Sequence, residues 1–139
     1  MRTGKFVPGR FKLLVKRSSA GLGLFAGEDL PKGACIIEYK GRVISKEEEY
    51  TSRSKYLFEV NSRMTIDGKP RWNKAGYINH SCRPNAEPEI RNKRIFIMAK
   101  RAIQEGEEIL YDYGEEYFKD YFSNGRCRCE KCREKRSRK

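Results

Sequence analysis

Asn79-His80-Ser81-Cys82-Arg83-Pro84-Asn85 is a turn-rich polar loop holding the single histidine of the chain and one of its five cysteines. It follows residues 73–78, which read as a short helix, and it precedes a long stretch of β-formers. A lone histidine can act as a general base, bind a metal, or fix a loop by hydrogen bonds through both ring nitrogens. The last use is the commonest. Nothing nearby in the sequence assembles a hydrolytic triad around this histidine, so acyl-transfer chemistry is rejected.

Outward from this loop the chain reads as many short strands. Residues 11–15, 34–39, 56–60, 64–67, 95–99 and 108–113 carry β-formers bounded by turns, and 24–26 is a further extended run. Helices are confined to 46–52, opened by the capping-box residues Ser45-Lys46-Glu47-Glu48, and to 73–78 and 115–122. The pattern predicts a mainly β fold with few short helices. The composition shifts once, after Asn124, where cysteine and basic residues take over.

One domain is what 139 residues accommodate. The hydrophobic fraction of 37% is low and the charged fraction of 36% is high, yet seven Phe, eight Tyr and one Trp supply bulk for a core. No apolar run approaches the ~20 residues of a membrane span, and the N-terminus lacks a signal-like apolar region. Membrane and secreted classes are therefore disfavoured. Lys and Arg number 31 against 19 Asp and Glu, a formal charge of +12 that favours polyanions such as nucleic acid. Residues 126–139 hold eight Lys or Arg and two Glu, so half of the surplus lies in a basic tail.

Three further motifs carry chemistry. Gly21-Leu22-Gly23-Leu24-Phe25-Ala26 matches a dinucleotide fingerprint in letters only, because Gly27, Pro31 and Gly33 leave no room for the required helix. What remains is either a turn needing positive φ or a ligand lying against bare backbone. Cys127-Arg128-Cys129-Glu130-Lys131-Cys132 puts three thiols in a polar segment, as a zinc site does. The fourth ligand must come from Cys82, Cys35 or His80. Cys35 alternates within an apolar strand and reads as core, which leaves Cys82 as the natural fourth thiolate. Tyr111-Asp112-Tyr113-Gly114 ends a strand whose alternation turns Tyr111 and Tyr113 to one face. Two phenols so placed either line a narrow channel or sit in the core with satisfied hydroxyls.

Taken in order, these elements resemble the SET-domain protein lysine methyltransferases with a post-SET zinc segment. The resemblance runs over roughly residues 11–133. It rests on Ser19 to Ala26, Glu38 to Ser45, Tyr56-Leu57-Phe58 with Ile66-Asp67, Asn73 to Asn85, and Gly106-Glu107-Glu108-Ile109-Leu110-Tyr111-Asp112-Tyr113. It implies a SET fold (β-clip) of several small sheets, with the C-terminal segment passed under a loop in a knot-like crossing. It also implies a cofactor pocket and a peptide groove joined by a lysine channel.

By position, the resemblance assigns S-adenosylmethionine to the backbone at Ala20, Gly21, Leu22 and Gly23, the Tyr56 side chain, and Asn79 with His80. Tyr113 matches the catalytic tyrosine, and Tyr111 the residue that limits how many methyl groups are added. A structural zinc ion falls to Cys82, Cys127, Cys129 and Cys132. The domain plan is an N-terminal extension at 1–10, a SET core at 11–114, a post-SET segment at 115–133 and a basic tail at 134–139. No pre-SET region precedes the core. Gly76 stands where many members carry Arg, and the C-x-C-x2-C spacing is shorter than the commoner zinc pattern.

The chemistry suits these residue types. Methyl transfer is an in-line displacement that needs a neutral amine and no catalytic metal. A lysine of ordinary pKa is about 3.4 units from neutrality at pH 7, a penalty of ~4.6 kcal/mol that desolvation beside a sulfonium relieves. The enzyme then contributes mainly positioning. A hydroxyl on Tyr111 leaves less room for a methylated nitrogen, which predicts mono- or dimethylation. The implied substrate is a Lys/Arg-rich protein such as a histone or histone-like protein. The setting is intracellular, either nuclear chromatin or a bacterial cytoplasm with delivery to a host. Two other readings compete: a zinc-stapled basic module that binds nucleic acid through its tail, and a SET fold without activity.

Overall fold

In the computed structural model, residues 5–18 and 21–113 are described. Leu13–Ser18 (β1) and Gly21–Ala26 (β2) pair antiparallel, with Ser18 opposite Gly21. The glycine run is thus a strand, where the sequence suggests a break. Gly21 adopts φ +98°, the left-handed geometry that only a residue without Cβ enters readily. Cys35–Tyr39 (β3) follows the turn at Gly33, and Arg42–Ile44 (β4) follows Gly41. Glycine is required at 41 because an added Cβ would overlap the Asp67 carbonyl.

Lys46–Thr51 (α1) starts where the capping residues predict, with the Ser45 hydroxyl accepting from the Glu48 N–H at 3.1 Å. Leu57–Asn61 (β5) and Met64–Asp67 (β6) form a hairpin, and the Asn61 side chain accepts from Arg63 N–H across its turn. The 73–78 helix is in fact one turn of 3-10 helix, Lys74–Tyr77. Asn79–His80 (β7), Ala86–Arg91 (β8), Arg94–Ala99 (β9) and Leu110–Tyr111 (β10) are the remaining strands among the described residues.

Among the described residues the strands form four small sheets, with orders β1-β2, β10-β7, β3-β9-β8 and β4-β6-β5. The mainly β expectation of several small sheets therefore holds. The central β9 is buried along Ile95–Ala99, as a strand covered on both faces must be. The edge strand β8 tolerates Pro88, whose missing N–H matters least there. Its charged and proline content hides it from a pattern search. Asn92 and Lys93, both at positive φ, form the tight turn from β8 to β9.

Leu24, Ile36, Ile78, Ile95, Ile97 and Ile109 lie fully buried where the sheets meet. Cys35 is buried against Phe96 and Met98, as its alternation predicts, and Phe6 packs on the same patch. The 108–113 strand shortens to two residues, because Glu108 bridges Phe25 instead and Ile109 N–H bonds Leu24 carbonyl. The 115–122 helix, the post-SET segment, the basic tail and the knot-like crossing beyond Tyr113 lie outside the described residues. Among the described residues no helix is long and apolar enough to cross a membrane.

Candidate functional site

The site is organised by a parallel pairing of two short, distant strands. In the register of β7 with β10, Asn79 lies beside Leu110 and His80 beside Tyr111. Asn85 clamps the pair from the loop: its Nδ2 donates to Glu108 carbonyl at 2.8 Å and its Oδ1 accepts from Leu110 N–H at 2.8 Å. Ser81 N–H adds a bond to Tyr111 carbonyl at 3.1 Å. Asn85 is 3% exposed, so these bonds satisfy a side-chain amide that could not stay buried without them. Sequence reasoning includes Asn85 in the loop but assigns it no role; the signal available is a polar residue directly after Arg83-Pro84.

His80 takes the structural part. Nδ1 accepts from Tyr113 N–H at 3.1 Å and Nε2 lies 3.3 Å from Cys82 Sγ. Burial lowers its pKa, with Asp112 opposing, so the imidazole is neutral at pH 7. Because Nδ1 accepts, the ring proton sits on Nε2 and faces the sulfur. The His80 ring also stands 5.2 Å from that of Tyr113.

Tyr111 and Tyr113 do share a face, with ring centroids 5.1 Å apart at 57°. Tyr113 Oη donates to the Ile78 carbonyl at 2.6 Å, which fixes its hydroxyl at the edge of the loop. Tyr111 is buried against Phe58, and Phe58 in turn against Tyr39. Tyr39 Oη donates to Tyr56 carbonyl at 2.6 Å. The phenols are thus held by a continuous aromatic wall.

Asn79 reaches the glycine strand. Its Nδ2 lies 3.0 Å from Leu22 carbonyl, 3.2 Å from Ser18 Oγ and 2.9 Å from Glu108 Oε2. A Cβ on Gly23 would run into that carboxylate and come within 3.1 Å of Asn79 Nδ2. Of the two sequence alternatives for this stretch, the positive φ applies at Gly21, while at Gly23 the protein's own Glu108 and Asn79 side chains lie where the second alternative puts a ligand. The Leu22 side chain is exposed, and Ala20 lies outside the described residues.

Tyr56 lines an open cleft of about 240 Å³ together with Lys69, Arg71, Asn73, Gly76 and Tyr77. Gly76 is set by packing, since a Cβ there would stand 3.0 Å from Gly68 carbonyl and 3.2 Å from Asn73 Nδ2. An arginine at 76 would need both neighbours to move. Cys82 is half-buried, while Cys127, Cys129 and Cys132 lie outside the described residues. No group of three or more metal-ligating side chains occurs among the described residues.

The model of the SET domain family matches residues 21–114 of the chain. Histone-lysine N-methyltransferase trr of Drosophila melanogaster is 41% identical over 112 residues, covering 72% of this chain and 5% of that protein. Human histone-lysine N-methyltransferase 2D is 38% identical over 112 residues, covering 72% of this chain and 2% of its own. Histone-lysine N-methyltransferase ASHH3 of Arabidopsis thaliana is 36% identical over 129 residues, covering 84% and 35%. The chain thus spans a small part of these relatives. With the family match extending over both strands of the β7–β10 pair and over the glycine strand that Asn79 reaches, the chain belongs to the SET domain family.

Proposed function

We propose that this SET domain is an S-adenosylmethionine-dependent protein lysine N-methyltransferase acting on a histone or histone-like protein. The observation that carries the reading is the β7–β10 register, which brings Asn79 and His80 beside Tyr111 and Tyr113. Relatives named as histone-lysine N-methyltransferases support it.

The residues fit the cofactor. A glycine strand without side chains at 21 and 23, the Asn79 amide, the Glu108 carboxylate and the Tyr56 cleft match a small zwitterionic nucleoside. S-adenosylmethionine supplies, when bound, a methyl group on an electrophilic sulfonium. The chain's residues do the rest. Gly21, Leu22 and Gly23, with the adjoining Ala20, offer backbone contacts. Asn79 offers its amide, and His80, held neutral and buried, fixes the loop rather than moving a proton. Tyr113, anchored through Ile78, orients the target amine, and the apolar wall behind Tyr111 favours the amine in its neutral form. The Tyr111 hydroxyl leaves less room for a methylated nitrogen, which supports mono- or dimethylation.

Cys82, Cys127, Cys129 and Cys132 hold a structural zinc ion in this reading, with 115–133 as the post-SET segment. The neutral His80 N–H pointing at Cys82 sulfur supports a thiolate there. Residues 1–10 form an extension, 11–114 the catalytic core and 134–139 a basic tail able to hold nucleic acid. A histone substrate implies an intracellular setting, chromatin or a bacterial cytoplasm.

The test is radiolabelled methyl transfer to core histones and bacterial DNA-packing proteins, with Tyr113→Phe run in parallel. Transfer that falls on the order of 100-fold in the variant supports the reading. A folded, zinc-loaded chain that ignores S-adenosylmethionine but binds DNA with steep salt dependence would replace it with the nucleic-acid-binding module. Cofactor binding without transfer to any protein tested would mean that the substrate is missing from the panel.

A further inference from the structure

Glu108 carries a carboxylate into the middle of this site, and the reading above counts it among the residues that fit the cofactor without saying which group of the cofactor it meets. The bridge between Phe25 and Glu108 and the bond from Ile109 N–H to Leu24 carbonyl at 2.8 Å lay this segment along β2. The carboxylate then rests against the Cα of Gly23, where any side chain would displace it. It is about half-buried, and burial pushes its carboxyl up while the Asn79 bond opposes that shift.

Its partners do not match its capacity. An ionised carboxylate offers about four acceptor sites. Among the described residues, no Lys, Arg or His lies in salt-bridge range of Glu108, and its side-chain partner is the Asn79 amide at 2.9 Å. That same Nδ2 is also 3.0 Å from Leu22 carbonyl and 3.2 Å from Ser18 Oγ. An amide nitrogen has two protons, so three acceptors converge on two donors. When ionised, a carboxylate in this half-buried corner has surplus acceptor sites and no neutralising cation among the described residues, an arrangement that a cationic ligand would complete.

We propose that Glu108, with the Leu22 carbonyl, receives the α-ammonium group of the cofactor's amino-acid end. The assignment rests on the methyltransferase reading and adds to it a charged contact. It gives the glycine at position 23 a second purpose, because Gly23 leaves the carboxylate at the ligand's edge of β2.

The experiment is calorimetric binding of two ligands to the unsubstituted chain, Glu108→Gln and Glu108→Asp. S-adenosylhomocysteine carries the ammonium; 5′-methylthioadenosine keeps the nucleoside and thioether but has no amino-acid end. Glu108→Gln should weaken S-adenosylhomocysteine about tenfold or more and leave 5′-methylthioadenosine within about twofold. Glu108→Asp keeps the charge one methylene further back. It should show a smaller loss with the same ligand selectivity, and it carries the test if the amide variant does not fold. Equal weakening of both ligands would overturn the assignment by reducing Glu108 to a structural role, and so would undiminished S-adenosylhomocysteine binding. Failure of the unsubstituted chain to bind S-adenosylhomocysteine would instead overturn the methyltransferase reading itself, and the ammonium contact with it.

Discussion

The backbone N–H of Tyr113 donates to Nδ1 of His80 at 3.1 Å, across 33 residues of sequence. This bond joins the residues just after β10 to β7, and the imidazole that accepts it is almost wholly enclosed. His80→Ala would remove the acceptor, leave the Tyr113 N–H without it and open a void under the Tyr113 ring. The expected loss is about 2–3 kcal/mol in urea unfolding, with methyl transfer falling as the tyrosine loses its position. Unchanged stability would mean that the Asn85, Ser81 and Tyr113 hydroxyl bonds hold this region without the imidazole.

Two glycines separate backbone strain from steric overlap. Gly33 has φ +85° and open space around it, so Gly33→Ala should cost about 1 kcal/mol through conformation alone. Gly41→Ala would push a methyl into the Asp67 carbonyl, a backbone atom in the β4–β6 pair that cannot swing away. About 3 kcal/mol is expected there, read as a larger shift of the denaturation midpoint.

Tyr111→Phe keeps the ring against Phe58 and Tyr113 and removes only the hydroxyl. Under the proposed function it should raise the share of higher methylation states on a histone substrate. Mass spectrometry of the product that shows the same distribution as the parent would refute the role of that hydroxyl.

Cysteine labelling tests burial and the zinc proposal together. Burial, reinforced by Glu38 and Glu89, pushes the Cys35 thiol up to about 11, so it should stay unmodified by iodoacetamide at pH 8 in the folded protein. Cys82 is half-buried and should be protected as isolated, then react once a chelator has removed one equivalent of zinc. Reaction at Cys82 before chelation would exclude it as a ligand.

Adjacent carboxylates respond to pH with opposite sign. Arg101, followed by the Gln104 N–H, holds Glu107 below its ordinary range. Its stabilisation is complete above that range and is lost as pH falls through the lowered value. Burial raises Glu108, so its contribution is present at acid pH and is lost as pH rises through the raised value. Glu107→Gln should flatten the acid limb of a melting profile. Glu108→Gln should instead raise the melting temperature of the ligand-free protein near neutrality more than at pH 4.

Much of the site's cast is legible as residue types, and little of its wiring. The tyrosine alternation is a local, period-two property, and the rings do end side by side. The capping of α1 and the burial of Cys35 are likewise local consequences of pattern. The β8 strand is not legible, because an edge position accepts Glu and Pro that a central strand would reject. The 3-10 turn at Lys74–Tyr77 replaces a longer helix because Gly76 sits against Gly68 carbonyl, a neighbour eight residues back in the chain that no helical periodicity predicts.

By itself the sequence determined a mainly β chain, the β-rich runs and most turns, the paired tyrosines and the family that its ordered motifs resemble. Those follow from alternation, turn chemistry and residue identity, which act over a few residues. Only the tertiary structure decided that Asn85 clamps β7 to β10, that His80 is a neutral anchor and that the Glu108 carboxylate meets Gly23 and Asn79. Asn79 meets Ser18 across 61 residues and Glu108 across 29. Such contacts exist only once separate sheets close on one core, because their distances depend on strand register and not on spacing along the chain.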